Sequence, residues 1–522
     1  MLDILTRFWI ELPLSYALTV GGLVSGYRRG GVPQDVRLPR AIRASLPVLL
    51  SVIVVWNCIV GIVETGLSPP SLRGLQTLLG SIFVLSVSAL IGAALARRKP
   101  ASDLKRGAIL LDEAQQDSSA ERPDALTLAG HPIPLLDETK HFKIIGTTGT
   151  GKSTAIRELL TGALRRGDRA VIADPDGGYL QRFYDPDRGD VILNPFDPRA
   201  ARWDLFAEII LPQDADQLAR SFIPDYDGQD RNWRGYARTY TTAILRQLHR
   251  IQERDLGRLY HLLVAASEAE LRDLVQGTPA TRFLGKKEGG KFLESVQAIA
   301  NQHMGAIEHL ACQNEDNAEG NALSVRRWIR EGRGVLFLPY RANEIASLSN
   351  LISAWMRLAI FETLSAPEGD QRIWFVIDEL DALGAIDGLK DALTRLRKFG
   401  GRCVLGLQSI AQVRGSFGES QSQSIVENCG NTIILRCSAS ERGGTAEFAS
   451  RLIGQRQVIR QQRSTSRTRG HFFKRTYSVS DQIFTEDAVM ASEIEQLPDL
   501  SGFLKLASQP HWKRIRLVPA AQ

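Results

Sequence analysis

The feature that most constrains the fold is the segment Gly146-Thr-Thr-Gly-Thr-Gly-Lys-Ser153, which matches the pattern G-x-x-x-x-G-K-[ST] at every position. The apolar, strand-like sequence HFKIIG precedes it, and the helix-like sequence TAIRELLTGALRRG follows it. Glycines in such a loop let successive backbone N–H groups turn inward around phosphate oxygens. A chance glycine-rich loop would lack this context, so the segment predicts a phosphate-binding loop between a strand and a helix.

The motif gives individual loop residues a role. Lys152 is expected to reach the β and γ phosphates, and Ser153 to offer its hydroxyl to Mg²⁺. The expected ligands are therefore ATP or GTP together with Mg²⁺. The predicted nucleotide-binding residues are Gly146, Thr147, Thr148, Gly149, Thr150, Gly151, Lys152, Ser153 and Thr154.

The sequence RIWFVIDEL supplies the second half of such a site. Residues Ile373 to Ile377 form a five-residue apolar run, short enough for a strand that is buried on both faces. Asp378 at its end is expected to hold Mg²⁺ through water, and Glu379 to polarise an attacking water. The adjacent carboxylates favour hydrolysis over binding alone, although a solvated acidic strand end is the alternative.

Further apolar runs predict a mostly parallel sheet with crossover helices. Ligands of such sheets bind at the carboxyl ends of the strands, where Ser153, Asp378 and Gln408 are all expected. Gln408 is predicted to sense the γ phosphate or its water; the alternative is a buried side chain bonded to backbone. The runs are RAVIAD (169–174), DVILNP (190–195), GVLFLP (334–339), CVLGLQS (403–409), NTIILRC (431–437) and GFLKLA (502–507).

The two halves of the site are far apart in the chain, since 226 positions separate Lys152 from Asp378. Between about residues 205 and 330 we find helical patterns and no strand-like run, which predicts an inserted all-α domain. The predicted divisions are a membrane anchor (1–100), the first part of the nucleotide-binding domain (101–204), the insertion (205–330) and the second part (331–522).

Two uncharged apolar runs, 46–63 with 18 residues and 75–96 with 22, are long enough to cross a bilayer as helices. Arginines and lysines cluster before the first run and after the second, whereas the connector between the two runs carries a single basic residue, Arg73. By the positive-inside rule both ends of the chain are cytoplasmic. A buried helical hairpin and a signal peptide are the alternatives. Residues 1–25 predict either an amphipathic surface helix or a third span.

Composition adds little. The chain of 522 residues has a net charge of +6 and a pI near 9.0, a weak preference for anionic partners such as nucleic acid or lipid head groups. Five cysteines without a CxxC motif argue against a disulfide framework. The eight histidines show no spacing typical of a metal site.

These motifs together resemble the type IV secretion coupling proteins of the TraD and TrwB kind. The resemblance also covers LNPFDPRAARWDLF, the helical insertion, the stretch that continues from WFVIDEL to VLGLQS, and ASEIEQLPDLSGFLKLA, in the same order over about residues 40–510. It implies a membrane-anchored, RecA-like ATPase of the bacterial inner membrane that assembles as a hexamer. Such an enzyme passes relaxosome-bound single-stranded DNA to a conjugation channel, so the implied partners are DNA with its relaxase, channel proteins and lipids.

The resemblance also implies roles for residues. Lys152, Ser153, Asp378 and Glu379 fall on the family's two nucleotide motifs, and Gln408 falls on a third. Arg397 falls on a position proposed as an arginine finger that reaches the neighbouring subunit; without the resemblance it would be an ordinary exposed helix charge. The insertion resembles the family's all-α domain, which contacts DNA or relaxosome proteins.

One basic stretch remains. Residues 451–475 carry eight basic residues and no acid, with two phenylalanines alongside. Its arginines suit DNA phosphates and its aromatic rings suit unpaired bases, whereas the alternative is a solvated loop. The candidate DNA-binding residues are Arg460, Arg463, Arg467 and Arg469.

The leading hypothesis is thus a DNA-translocating ATPase. The alternatives are a recruitment receptor that uses nucleotide only to assemble, and an FtsK-like DNA translocase. An ABC-type transport ATPase is disfavoured because no LSGGQ-like signature lies between Lys152 and Asp378.

Overall fold

A computed structural model describes residues 16–25, 38, 41–42, 44–45, 48, 86–91, 103–111, 124–225, 230–284, 289–316, 322–369, 371–440, 443–467 and 475–519. The chain divides into two compact units. One comprises residues 1–105 and 458–484, and the other comprises residues 106–457 and 485–522.

The larger unit is built on a ten-stranded mixed sheet. Its strands are β2 (Leu110–Leu111), β5 (Phe142–Ile145), β6 (Arg169–Pro175), β7 (Val191–Ile192), β10 (Val335–Tyr340), β11 (Ile373–Ile377), β12 (Gly401–Leu407), β13 (Asn431–Ile434), β16 (Ser501–Lys505) and β17 (Trp512–Arg516). They lie in the order β2-β17-β16-β13-β5-β12-β11-β6-β10-β7. The seven strands from β13 to β7 run parallel, and β16 is antiparallel to both neighbours. The prediction of a mostly parallel sheet is confirmed.

Helices cover both faces of this sheet, because each central strand is apolar on both sides. In β11, Phe375 belongs to one hydrophobic core and its neighbours Trp374 and Val376 to the other, as the two-residue period of a strand requires. The helices that accompany the sheet, on either face, are α1 (Leu135–Glu138), α2 (Lys152–Arg165), α3 (Gly178–Phe183), α10 (Val325–Glu331), α11 (Ile345–Ser365), α12 (Leu389–Leu396), α13 (Ile410–Phe417), α14 (Glu419–Asn428), α15 (Gly444–Ile453) and α16 (Ala491–Glu495).

Most of the chain between β7 and β10 is helical. It contains α4 (Asp214–Phe222), α5 (Arg231–Arg250), α6 (Leu256–Val264), α7 (Glu268–Val275), α8 (Gly289–Met304) and α9 (Ala306–Asp316). A parallel pair of two-residue strands, β8 (Arg202–Trp203) and β9 (Ala322–Leu323), joins the two ends of this segment. The expectation that residues 205–330 lack any strand is therefore wrong by one short strand; the predicted domain limits stay predictions.

The strand predicted over residues 190–195 forms only the two residues of β7. Polar side chains at both ends limit it. The Asp190 carboxylate accepts hydrogen bonds from the N–H groups of Val335 and Asp185, and the side-chain oxygen of Asn194 accepts one from Phe196 N–H at 2.7 Å. Side-chain to backbone bonds of this kind favour turns over continued strand pairing.

Two further small sheets lie in the part of the chain that the structure describes. β3 (Thr127–Leu128) and β4 (His131–Pro132) form an antiparallel pair, and β1 (Asp103–Gly107), β14 (Gln455–Arg467) and β15 (Arg475–Asp487) form a three-stranded sheet in the order β1-β14-β15. Much of the basic stretch 451–475 is therefore extended strand and not loop, and residues 468–474 lie outside the described residues.

The N-terminal predictions fall largely on residues that the structure leaves undescribed. Of the predicted spans, only residue 48 of the first and residues 86–91 of the second belong to the described part. Residues 16–25 and 86–91 are helical, while 1–15 lie outside the described residues. Within the described ranges, every helix is too short or too polar to cross a membrane.

Candidate nucleotide-binding site

The predicted phosphate-binding loop connects β5 to α2 at the carboxyl edge of the parallel strands. Gly149 and Gly151 have φ angles of 78° and 115°, in the left-handed region that favours glycine. Thr150 Oγ1 donates to Thr147 O at 2.7 Å and closes the loop on itself. The first N–H groups of α2 have no acceptor within the helix, so the loop and the helix N-terminus together offer donors to an anion.

Lys152 is the first residue of α2 and is buried with its amino group inside the loop. Its Nζ donates to Gly146 O at 2.9 Å and to Thr147 O at 3.3 Å. Burial lowers the pKa of Lys152, while the charges of Asp378 and Glu379 act in the opposite direction. The ammonium group is thus held by two carbonyls of the loop that the motif assigns to phosphate.

Ser153 and Asp378 meet across the sheet edge. Ser153 Oγ donates to Asp378 Oδ2 at 2.6 Å, and the hydroxyl of Tyr179 donates to the same oxygen at 2.8 Å. Asp378 is 3% exposed, and among the described residues its other oxygen, Oδ1, has no hydrogen-bond partner. A buried carboxylate oxygen without a donor is costly unless a cation or water completes it.

This geometry fits Mg²⁺. Magnesium prefers oxygen ligands, keeps several waters and is bound through one or two protein groups beside substrate phosphates. The serine hydroxyl and the free Asp378 Oδ1 supply such oxygens next to the loop that is expected to hold phosphate.

Glu379 and Gln408 form a second polar chain at the same edge. Gln408 Nε2 donates to Glu379 Oε1 at 2.5 Å, and Thr148 Oγ1 donates to Gln408 Oε1 at 3.3 Å. Gln408 therefore contacts loop and carboxylate side chains, in contrast to the alternative of a side chain bonded to backbone. Burial raises the pKa of Glu379, and the charges of Asp378 and Asp381 add to the effect.

The position of Asp378 depends on a close approach between two neighbouring strands. A Cβ atom on Gly406 in β12 would lie 1.8 Å from the carbonyl oxygen of Asp378, so no larger residue fits there without movement. Leu380 N–H donates to Gly406 O at 3.1 Å and ties the segment after β11 to β12. Glycine at position 406 thus allows the approach of β12 that brings Gln408 to the segment carrying Asp378 and Glu379.

Sequence reasoning missed two residues of this site, Asp174 and Tyr179. Asp174 is the last residue but one of β6 and accepts hydrogen bonds from the N–H groups of Tyr179 and Leu180, the latter at 2.7 Å. Burial raises the pKa of Asp174 to about 6, against the effect of these two donors and with a further contribution from the charge of Asp378. Asp174 carried a signal as the acidic end of an apolar run, whereas 199 positions separate Tyr179 from Asp378 and no local pattern links them.

Arg397 does not join this group. It begins the short 3-10 helix Arg397–Phe399 before β12, whereas Gln408 follows β12. The strand rises about 3.3 Å per residue, so its ends are roughly 20 Å apart and Arg397 lies at the opposite edge of the sheet. Its side chain is exposed. Arg397 is therefore not placed to contact a nucleotide bound in its own subunit.

The four candidate DNA-binding arginines lie elsewhere in the chain, on or near β14. Arg460 is exposed, and its guanidinium carbon lies 5.6 Å from the centre of the Phe484 ring on β15. Arg463 and Arg467 belong to β14 by their backbone, and Arg469 lies outside the described residues.

Comparison with known proteins gives a consistent result. The family described as the type IV secretion-system coupling protein DNA-binding domain matches residues 125–518. The coupling protein TraD of Escherichia coli K12 is 31% identical over 381 residues, which cover 72% of this chain and 52% of TraD. The type IV secretion system-coupling protein VirD4 of Bartonella quintana is 32% identical over 270 residues, or 50% of this chain and 38% of that protein. The matched part of the chain thus spans about half the length of TraD and less than half the length of this VirD4.

Solved structures of TrwB share the fold. The conjugative coupling protein TrwBdeltaN70 superposes with a TM-score of 0.70 at 30% identity, covering 80% of this chain and 94% of that one. TrwB in complex with ADP and Mg²⁺ gives a TM-score of 0.69 at the same identity and coverage. The RecA-like architecture predicted for the sheet domain is thereby confirmed.

Proposed function

Because the chain belongs to the family of type IV secretion-system coupling proteins, we propose that it is an ATPase that drives relaxosome-bound single-stranded DNA into a secretion channel during conjugation. The observation that carries this proposal is the pairing of Ser153 with Asp378, next to the Glu379–Gln408 hydrogen bond. One pair suits a metal and its nucleotide, and the other suits the water that attacks the γ phosphate.

Binding of ATP is assigned to the loop from Gly146 to Thr154, with the Lys152 ammonium released from its loop carbonyls to the phosphates. Ser153 and Asp378 would hold Mg²⁺. When bound, the ion neutralises charge on the phosphate oxygens. The relative TrwB, whose structures contain ADP with Mg²⁺ or a non-hydrolysable ATP analogue, supports this assignment.

Hydrolysis is assigned to Glu379 and Gln408. Glu379 accepts the proton of the attacking water, and the amide of Gln408 orients Glu379 on one side while its oxygen contacts Thr148 of the loop on the other. The raised pKa of Glu379 supports a role as a base, since a carboxylate with a higher pKa is a stronger proton acceptor.

Arg397 is proposed to act on the neighbouring subunit of a hexamer. Its exposure and its position at the edge opposite the loop support an action between subunits, since it is too far from the nucleotide site of its own chain. An arginine supplied by a neighbour makes hydrolysis depend on assembly of the ring.

We assign the membrane anchor to the two apolar runs 46–63 and 75–96, with both ends of the chain in the cytoplasm and the protein in the bacterial inner membrane. Their lengths and the flanking arginines support this topology. Anchoring also raises the local concentration of subunits and so favours ring assembly.

Contact with DNA is assigned to the basic stretch 451–475 and to the helices between residues 205 and 330. Arg460, exposed on β14, supports the first assignment, and the family's description as a DNA-binding domain supports DNA as the partner. The relaxase and the secretion channel proteins complete the proposed set of partners.

The test is ATP turnover by the purified full-length protein with and without single-stranded DNA, together with a mating assay of wild type beside Lys152→Ala. The expected result is turnover that DNA stimulates, and loss of both turnover and transfer in the variant. Absence of turnover with intact transfer would favour the recruitment receptor. Stimulation by double-stranded DNA alone would favour an FtsK-like translocase.

A further inference from the structure

The side chain of Tyr179 enters the nucleotide site from α3 and contacts the carboxylate that is proposed to hold Mg²⁺. Its hydroxyl donates to Asp378 Oδ2 at 2.8 Å. Tyr179 is 1% exposed and Asp378 is 3% exposed, so water does not compete for this bond. A hydrogen bond to a buried charged oxygen is stronger than one between neutral groups.

Asp378 Oδ2 accepts from two hydroxyl groups, while Oδ1 accepts from no group in the described part of the chain. Ser153 and Tyr179 thus define which of the two oxygens is engaged and which stays free. Ser153 is itself a proposed metal ligand, whereas Tyr179 is the donor that holds the carboxylate without being assigned to the metal.

The backbone of Tyr179 is held independently of its hydroxyl. The Asp174 carboxylate accepts from Tyr179 N–H at 3.0 and 3.1 Å, and the Arg157 guanidinium lies 5.7 Å from the centre of the tyrosine ring. The Asp174 carboxylate and the Arg157 guanidinium therefore hold the tyrosine through its backbone and its ring, without using the hydroxyl. This arrangement suits a group that orients a neighbour with precision.

We propose that Tyr179 is a positioning residue whose hydroxyl holds the Asp378 carboxylate with Oδ1 free for Mg²⁺ or a water bound to it. The inference rests on the proposed function, since it takes the nucleotide and Mg²⁺ as ligands of this site. Residues that orient a metal-binding carboxylate typically change metal affinity when they are removed, by about 10-fold to 100-fold.

The experiment uses full-length protein in detergent and follows the binding of a fluorescent ATP analogue while Mg²⁺ is titrated. Tyr179→Phe keeps the ring, the Arg157 contact and the Asp174 bonds, and removes only the hydroxyl. We expect the Mg²⁺ concentration for half-maximal binding to rise by about 10-fold. Affinity for the analogue in EDTA should equal that of wild type.

The matched control is Tyr240→Phe, which also removes a buried tyrosine hydroxyl, one that donates to Leu262 O in the helical segment. Its Mg²⁺ titration should follow wild type. An unchanged titration for Tyr179→Phe would overturn the inference, and so would an equal loss of affinity with and without Mg²⁺, because the role would then be structural. Wild-type protein whose binding ignores Mg²⁺ would overturn the proposed function itself.

Discussion

Ser153 Oγ lies 2.6 Å from Asp378 Oδ2, although 225 positions separate the two residues in the chain. The hydroxyl stands in the first turn of α2, and the carboxylate follows β11. Only β12 lies between β5 and β11 in the sheet, and all three strands are parallel, so their carboxyl ends share one edge. The helical segment between the two halves of the site leaves this contact intact.

Glu379→Gln should bind ATP and fail to hydrolyse it, because an amide cannot accept the proton of the attacking water. In wild type, kcat/KM for ATP, which reports the free enzyme, should rise with pH along an acid limb that lies above the ordinary range of a glutamate. Burial raises the pKa of Glu379, and the deprotonated form is the base. The measurements are nucleotide binding, turnover, and kcat/KM as a function of pH. The control is Glu427→Gln, at an exposed glutamate of α14, and a Glu379→Gln variant with wild-type turnover would remove Glu379 from catalysis.

Gly406→Ala should lower both turnover and stability, since the new methyl group would lie 1.8 Å from Asp378 O and displace the end of β11. We expect a loss of about 1–3 kcal/mol in the free energy of unfolding, as for other overpacked sites. Chemical denaturation and ATP turnover are the measurements. Gly415→Ala, at a glycine of α13 with open space around it, is the matched control and should be neutral or stabilising by up to ~1 kcal/mol. Equal behaviour of the two variants would contradict the close approach.

The free energy of unfolding should decrease as the pH is lowered below about 6.5, and His141 should account for part of this decrease. Its Nδ1 accepts from Cys403 N–H and its Nε2 lies 2.8 Å from Leu393 O. Burial lowers the pKa of His141 from 6.5 to about 4. As the pH is lowered, the imidazole is therefore protonated in the unfolded chain at a higher pH than in the folded protein. The neutral buried imidazole contributes about 3 kcal/mol to the free energy of unfolding above pH 6.5, and this contribution is lost as the pH falls towards 4.

The variant that tests this is His141→Asn, because His141 has a φ of 56° and asparagine tolerates the left-handed region. It should be less stable than wild type at pH 7.5, and the difference should shrink as the pH falls from 6.5 to 4. Chemical denaturation at several pH values measures this, with His249→Asn, at a half-buried histidine, as the control. A difference in stability that does not vary with pH would contradict the buried neutral imidazole.

Replacing Arg460, Arg463, Arg467 and Arg469 by Gln should weaken binding of single-stranded DNA and flatten its salt dependence. Each lost phosphate contact removes about 0.7 from the slope of log affinity against log salt concentration. Nucleotide binding should survive. The measurement is a titration of labelled DNA at several salt concentrations, with the four Arg→Lys replacements as the control that keeps the charges. Wild-type slope and affinity in the Gln variant would direct the search for the DNA path to the helices between residues 205 and 330.

A reporter fused near Pro69 should report the periplasm, and one fused after Gln522 the cytoplasm, because the arginine clusters hold both flanks of the two apolar runs inside. Enzymatic reporters that are active on one side of the membrane measure this in cells. The C-terminal fusion serves as the internal control. A cytoplasmic signal from the Pro69 fusion would remove the two-span topology.

The local patterns of the sequence predicted much of this fold. The strand-like run Ile373–Ile377 became β11 at the same residues, since five apolar residues between charges suit a strand buried on both faces. The run at 190–195 became a strand of two residues, because the bonds made by Asp190 and Asn194 to distant and neighbouring backbone are invisible to a pattern of hydropathy. The helical pattern of residues 205–330 likewise did not predict β9, because its two residues pair with β8, which lies more than a hundred positions earlier in the chain.

The sequence by itself determined the phosphate-binding loop and the carboxylates after β11, because both are local motifs whose chemistry follows from residue type and spacing. Only the tertiary structure decided that Gln408 bonds Glu379 and Thr148, that Tyr179 and Ser153 share one oxygen of Asp378, and that Arg397 lies at the opposite edge of the sheet. The physical reason is that strand order and register bring these residues together or keep them apart, and both depend on packing between segments hundreds of residues apart in the chain.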